Sequence, residues 1–127
     1  MEIYGDGTQT RDFIYVEDLV RAIRLAATRP GIGGEIFQIA TSREHTVNEL
    51  AGLLKNELKK QLGIDMAITF GPPRLGDVKR NYSDTSKAKR LLGWQSTTDL
   101  AAGLERVVKW FGQDIKNRSA RLPCSEP

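Results

Sequence analysis

The hydrophobic positions along the chain repeat with two periods, about two residues and about 3.6, and the changes of period mark out its elements. Residues 13–16, Phe-Ile-Tyr-Val, are a β-prone run that predicts a strand. Over 17–29 the spacing becomes helical, with Val16, Leu19, Val20, Ile23 and Ala27 along one side. Glu17 and Asp18 fall in the first turn and Arg29 in the last, each matched to the helix dipole, and Pro30-Gly31 ends the segment. Residues 35–40, Glu-Ile-Phe-Gln-Ile-Ala, predict a second strand. Thr46-Val-Asn-Glu49 is a capping-box pattern opening a helix whose Leu50, Leu54, Leu58 and Leu62 share a face as far as Gly63. Residues 66–70, Met-Ala-Ile-Thr-Phe, predict a short strand closed by Gly71-Pro72-Pro73.

The pattern then gives way to a loop over 71–84 and two further helices. Asp84 is placed to cap the short helix of Thr-Ser-Lys-Ala-Lys-Arg-Leu-Leu, which ends at Gly93. Thr97 or Thr98 can cap the last helix, in which Leu100, Leu104, Val107, Val108 and Phe111 repeat with the helical period. The periodicity stops at Gly112, so 1–112 reads as one domain and 113–127 as a flexible tail. Strands separated by helices give an α/β class of three to four short strands with four helices. That is too few strands for a complete doubly wound sheet, and no complete Rossmann domain is expected.

The 127 residues suffice for a single modest core, and 39% hydrophobic with 28% charged residues is ordinary for a water-exposed α/β domain. No apolar run approaches the roughly 18 residues of a membrane span. Met1–Thr10 has no charged segment leading into an apolar one, so the expectation is a cytoplasmic protein with no membrane partner. One cysteine, Cys124, excludes an internal disulfide, and one histidine, His45, leaves no Cys/His set for zinc. The net charge of +3 is spread along the chain. Its densest cluster, Lys79, Arg80, Lys87, Lys89 and Arg90, is interrupted by Asp77 and Asp84 and reads as a solvated helix face, not a nucleic-acid surface.

Catalytic constellations are missing. Gly31-Ile-Gly-Gly-Glu35 follows a helix and precedes a strand, the wrong order for a dinucleotide loop. His45 stands alone as a surface loop residue just before a helix cap, so no Ser/His/Asp set can be nominated. No tyrosine is followed four residues later by lysine, and Tyr82 with Lys87 has the wrong spacing. Two loop arginines remain, Arg11 at a turn and Arg74 in Pro-Pro-Arg-Leu-Gly-Asp. Two guanidinium forks brought together would grip a diphosphate well. The alternative pairs Arg11 with adjacent Asp12 or a loop carbonyl and Arg74 with Asp77, surface contacts worth at most about 1 kcal/mol each.

Three ordered blocks carry a resemblance. Residues 3–23 (IYGDGTQTRDFIYVEDLVRAI), 34–54 (GEIFQIATSREHTVNELAGLL) and 71–94 (GPPRLGDVKRNYSDTSKAKRLLGW), with TDLAAGLERVVKWF at 98–111, resemble the C-terminal part of NAD-dependent nucleotide-sugar epimerases and dehydratases of the extended short-chain dehydrogenase/reductase family. UDP-hexose 4-epimerases are the nearest group, with UDP-glucuronate decarboxylases and dTDP-glucose 4,6-dehydratases behind. The resemblance implies that Arg11 and Arg74 contact the substrate diphosphate, that Asp77 accepts hydrogen bonds from ribose hydroxyls, and that Gln9 lies near ribose or phosphate. Phe13 and Tyr15 are expected to pack the core. NAD is implied for the complete family enzyme and none for this chain alone, which is expected to lack turnover, with no catalytic residue of its own. The implied ligand is a UDP-sugar or other nucleotide-sugar. The rival expectation is a stand-alone, non-catalytic module for nucleotide-sugars or a protein partner. In this family the 35–40 strand joins a larger sheet, so its free edge predicts a homodimer.

Overall fold

A computed structural model of the chain describes residues 1–121, and Cys124 lies outside them. Four helices and four very short strands alternate: β1 (Glu2–Tyr4), β2 (Thr10–Arg11), α1 (Val16–Thr28), β3 (His45–Thr46), α2 (Val47–Leu62), β4 (Thr69–Gly71), α3 (Ser86–Leu92) and α4 (Leu100–Arg121). The class is α/β, with four helices and few strands. The strands form two pairs: β1 runs parallel to β4 with Ile3 opposite Phe70, and β2 runs antiparallel to β3 with Arg11 opposite His45.

The helices follow the sequence closely because their termini are chemically specified. Thr46 Oγ1 accepts from the Glu49 N–H at 3.0 Å and the Glu49 carboxylate accepts from the Thr46 N–H at 2.7 Å, so the capping box of α2 is complete. Helices α2 and α3 end at Gly63 and Gly93, both left-handed. Asp84 accepts from the Ser86 N–H at 2.8 Å and serves the start of α3. At α4 the cap is Asp99, whose carboxylate accepts from the Ala102 N–H at 2.8 Å. Thr97 and Thr98 do not cap this helix: it begins at Leu100, which puts Asp99 at the N-cap, and the Thr97 hydroxyl and both N–H groups donate to Asp18.

The strands depart from the reading of the sequence. Residues 13–16 make no ladder: Tyr15 is the extended N-cap of α1 and Val16 its first residue, so the helix takes the end of the β-prone run. Residues 35–39 alternate as a strand should, with Phe37 and Ile39 turned toward the core and Ile36 82% exposed, but no described strand pairs with them. The side-chain pattern is that of a strand, and a ladder needs a neighbour as well. The strand expected at 66–70 begins only at Thr69, where β1 offers a partner. His45, expected in a loop, lies in β3.

A cluster of Ala22, Ala88, Leu92 and Trp94, with Ile14, Leu25, Ile32, Phe37 and Ile39 packed around it, joins α1 to α3. A second contact joins α2 to α4 through Ala51 and Val108, both buried. Val107 and Phe111, expected on the inner face of α4, are instead 46% and 44% exposed, and Gly112 is buried. A Cβ on Gly112 would lie 2.5 Å from Leu62 Cδ2, so this glycine lets two helices approach. It does not end the helix: α4 continues to Arg121 through residues 113–121, where the sequence reading placed a tail. Among the described residues no helix is long and apolar enough to cross a membrane.

One buried carboxylate connects the α1/α3 core to the start of α4. Asp18, 2% exposed, accepts through Oδ1 from Arg21 Nη2 (2.6 Å) and Thr97 Oγ1 (2.8 Å), and through Oδ2 from the N–H groups of Thr97 (3.0 Å) and Thr98 (2.9 Å). Its backbone carbonyl accepts from Trp94 Nε1 at 2.9 Å. Burial opposes ionisation, yet the hydrogen bonds from Arg21, Thr97 and Thr98 outweigh it and hold the carboxyl well below its ordinary value of 3.8. A depressed folded value means that the contribution of Asp18 is complete above 3.8 and is lost as pH falls below it. Asp18→Ala leaves buried donors unsatisfied, and we predict a loss of about 3 kcal/mol in urea denaturation at pH 7, shrinking as the pH is lowered below that value. A loss that persists undiminished at pH 2 would contradict this account.

Candidate functional site

The turn after β1 and the loop after β4 face each other because their strands are adjacent and parallel. Gly5 N–H donates to Gly71 O at 3.0 Å, continuing the pairing past Tyr4. Between them lies an open cleft of about 1010 Å³ lined by Tyr4, Asp6, Gln9, Phe70, Arg74, Asp77, Lys79 and Arg80 among others. Three of the residues singled out in the sequence, Gln9, Arg74 and Asp77, therefore share one wall, although Gln9 and Arg74 are far apart in the chain.

The fourth, Arg11, reaches that wall through Asp77. Arg11 Nη2 donates to Asp77 Oδ1, and Nη1 donates to the carbonyls of Thr10 (2.7 Å) and Val78 (2.6 Å). A guanidinium has five N–H donors, and these contacts use three of those of Arg11, which itself does not line the cleft. Of the alternative, the contact of Arg11 to loop carbonyls is present, while the pairs Arg11 with Asp12 and Arg74 with Asp77 do not form. Asp12 instead accepts from the Thr41 N–H at 2.7 Å and the Ser42 N–H at 2.9 Å, and Asp77 pairs with Arg11, leaving Arg74 aside. Arg74 lies over the Tyr4 ring with its Cζ 4.1 Å from the centroid, which fixes the plane of the fork while leaving its edge in the cleft. Gln9 Nε2 donates to Tyr4 O at 3.0 Å and steadies the same turn.

The charge in the cleft is divided between paired and unpaired groups. Arg80 is held bidentately by Glu44, with Nε to Oε1 at 3.0 Å and Nη2 to Oε2 at 2.6 Å. Hydrogen bonds from Arg80 and then from Thr10 hold the Glu44 carboxyl down to about 2. Asp6 is also held below its ordinary value, by the N–H and hydroxyl of Thr8. Among the described residues, Arg74 and Lys79 are the cleft cations with no carboxylate in ion-pair contact. Lys79 and Arg80 were read in the sequence as part of a helix face, but both lie in the loop, and only Lys87, Lys89 and Arg90 of that cluster are on α3. Their nearness to Asp77 in sequence was the available signal for this wall. For Tyr4 it was the position just before the Gly-Asp-Gly turn.

Other candidate chemistry is not assembled here. His45 lines a separate cavity of about 390 Å³ with Phe13, Arg43 and Lys89, and no group of metal-ligating side chains occurs among the described residues. Neither glycine-rich turn fits a dinucleotide pyrophosphate, which needs a strand leading into a helix N-terminus. Residues 5–7 lead into β2, and the space beside Gly7 is filled by the Asn48 carboxamide; residues 31–34 lead from α1 into the extended 35–39 segment.

Comparison with known proteins is consistent over nearly the whole chain. Residues 1–107 match the family model described as GDP-mannose 4,6 dehydratase. The chain is 42% identical over 109 residues to a putative UDP-glucose 4-epimerase of Methanocaldococcus jannaschii, an alignment covering 86% of this chain and 33% of that protein. It is similar to the structure of a UDP-glucose 4-epimerase from Thermotoga maritima solved with UDP-glucose: TM-score 0.77, 40% identity, covering 91% of this chain and 35% of that one. For a UDP-glucuronic acid 4-epimerase from Bacillus cereus solved with UDP-glucuronic acid and NAD, the TM-score is 0.73 at 33% identity, over 88% of this chain and 35% of that one. The chain thus spans about a third of the length of these relatives.

The turn that carries Gln9 depends on Gly7, whose φ of +73° suits glycine and whose Cβ position lies 2.0 Å from Asn48 Oδ1. Asn48 is itself held, its Nδ2 donating to Asp6 O at 2.9 Å and its N–H to Gly7 O at 3.0 Å. Gly7→Ala is predicted to cost about 1–3 kcal/mol in thermal or urea unfolding. The backbone amides of 5–9 should shift in NMR spectra while those of α3 stay in place.

Proposed function

The chain belongs to the NAD-dependent nucleotide-sugar epimerase and dehydratase family, and from that membership we propose that it is the nucleotide-sugar-binding part of a UDP-hexose 4-epimerase-like enzyme. In this reading Arg11 and Arg74 clamp the diphosphate, Asp77 accepts from the ribose hydroxyls, and Gln9 supports the ribose or phosphate. The single observation that supports it best is the convergence of Gln9, Arg74 and Asp77 on one cleft wall, with Arg11 tied to Asp77. NAD accompanies UDP-sugars in solved members of the family, where it supplies reversible hydride transfer. The residues described here do not fit that cofactor, and their task is to fix the nucleotide so that the sugar is presented to it. These 127 residues contain no Tyr-x-x-x-Lys pair, and alone they bind without turnover. The whole is placed in the cytoplasm.

The clamp works by charge and shape. A diphosphate entering the cleft meets Arg74 and Lys79, and Arg11, tied to the cleft residue Asp77, is the second guanidinium of the proposed clamp. Such contacts are the same in ground and transition states, so in a complete enzyme Arg11→Ala or Arg74→Ala raises KM more than it lowers kcat. For the isolated chain, titration with UDP-glucose followed by amide NMR should shift residues 4–11 and 74–80, and Arg74→Ala should weaken binding by roughly tenfold or more. No binding at millimolar UDP and UDP-sugars would refute the half-site. Conversion of a UDP-hexose by the chain with NAD would refute its lack of turnover. The unpaired 35–39 edge also makes a homodimer the expected state, and light scattering showing a monomer at tens of milligrams per millilitre would count against it.

A further inference from the structure

We propose that Glu44, which does not line the cleft, is a positioning residue for it: its carboxylate ties β2 to the 77–80 loop and so keeps Arg11 and Asp77 aligned with Arg74. Glu44 stands one residue before β3, where His45 is the register partner of Arg11. Its Oε1 accepts from Thr10 Oγ1 at 2.6 Å and from Arg80 Nε at 3.0 Å, and its Oε2 accepts from Arg80 Nη2 at 2.6 Å. One side chain therefore holds the residue before Arg11 and Arg80, three residues after Asp77 in the loop. The glutamate is the better buried end of the pair, 22% exposed against 69% for Arg80. It is the anchor and Arg80 the arm.

The other hydrogen bonds that tie residues 77–80 to the rest of the fold come from β2, Thr10 N–H to Lys79 O at 2.8 Å, Arg11 Nη1 to Val78 O at 2.6 Å and Arg11 to Asp77, while Ser42 Oγ holds the later part of the loop through Ser83 O at 2.9 Å. The ties to β2 fail to hold if residues 77–80 swing outward. A two-point Arg–carboxylate fork resists that swing because both its distance and its plane are fixed, which a single hydrogen bond does not do. With its carboxyl held down to about 2 by Arg80 and Thr10, Glu44 is ionised near neutral pH, so the fork is not a pH switch there. The same pairing removes Arg80 from direct competition for an anion, leaving Arg74 and Lys79 for that purpose.

The proposal rests on the nucleotide-sugar reading only for its ligand, and the test has one arm without ligand. In the ligand-free chain, the Arg11 side-chain NMR signals should show hindered guanidinium rotation in the wild type and averaged signals in Glu44→Ala. Arg80→Lys, which keeps the charge but loses the fork, should give the same change in weaker form and serves if Glu44→Ala does not fold. In the second arm, Glu44→Ala weakens UDP-glucose binding by roughly tenfold with the thermal midpoint nearly unchanged, and Glu44→Ala/Arg80→Ala binds no more weakly than Glu44→Ala. Unaltered Arg11 signals in the variants would overturn the proposal. So would tighter binding by Glu44→Ala, which would make Arg80 itself a ligand contact that Glu44 restrains. If the wild type binds no UDP-glucose, the nucleotide-sugar reading falls, and the Arg11 signals alone decide the role of Glu44.

Discussion

A buried carboxylate, Asp18, is the constraint on which the arrangement of helices depends. It ionises against the cost of its own burial because three residues, Arg21, Thr97 and Thr98, donate to it, and its carbonyl takes the indole N–H of Trp94, the largest fully buried side chain. The first turn of α1 is thereby fixed to the 94–98 segment, which determines both how α3 ends against the core and where α4 begins. The small residues Ala22 and Ala88 then allow α1 and α3 to close over Trp94. Hydrophobic burial supplies the driving force, but it is non-directional, and the four hydrogen bonds at Asp18 are what select one orientation.

The cleft is built on less. Its walls are a turn and a loop, attached to two short strand pairs, and loops of this kind acquire order from side-chain ties. Arg11, Asp77, Glu44 and Arg80 form those ties. They link residues from the first dozen positions, the middle and the later loop, so the site exists only once distant parts of the chain have been brought together. This is why Gly7 matters beyond its own turn: the Asn48 side chain that occupies the space beside it also anchors α2 to the Asp6–Gly7 segment.

Local chemistry made much of this legible in the sequence. The capping box at Thr46 and Glu49 and the left-handed glycines at 63 and 93 are short-range signals that appear as read, whereas Asp84 sits one residue before the N-cap Thr85 and accepts from the Ser86 N–H. Non-local choices were not legible. Thr97 and Thr98 look like caps, but the helix begins after Asp99, and the segment they lie in is held instead by Asp18, far away in sequence. Residues 35–39 carry a true strand pattern, and periodicity cannot say whether a neighbour is present to pair with it. Gly112 reads as a stop, because composition does not distinguish a helix end from a point of close helix approach; only the position of Leu62 does. In the site, the arginines and Asp77 stood out through motif resemblance, whereas Lys79 and Arg80 were absorbed into an apparent helix face that begins only at Ser86.

The division of the basic residues around the cleft follows one rule. Arg80 is held by the Glu44 carboxylate, and Arg11 by Asp77 and the carbonyls of Thr10 and Val78, so both serve the frame as well as adding positive charge beside the cleft. Arg74 and Lys79 face the cleft without such a partner among the described residues, and Arg74 is oriented by an aromatic ring, which leaves its charge available. If all four were unpaired, their mutual repulsion would splay the loop; if all were paired, an anion would have to break an ion pair to enter. Pairing two and leaving two keeps the loop fixed while retaining a positive wall, which accounts for the acidic residues Asp77 and Glu44 beside that wall. A neutral substitute at either position would remove a tie and release a cation at once, so the geometry and the field of the cleft cannot be tuned separately.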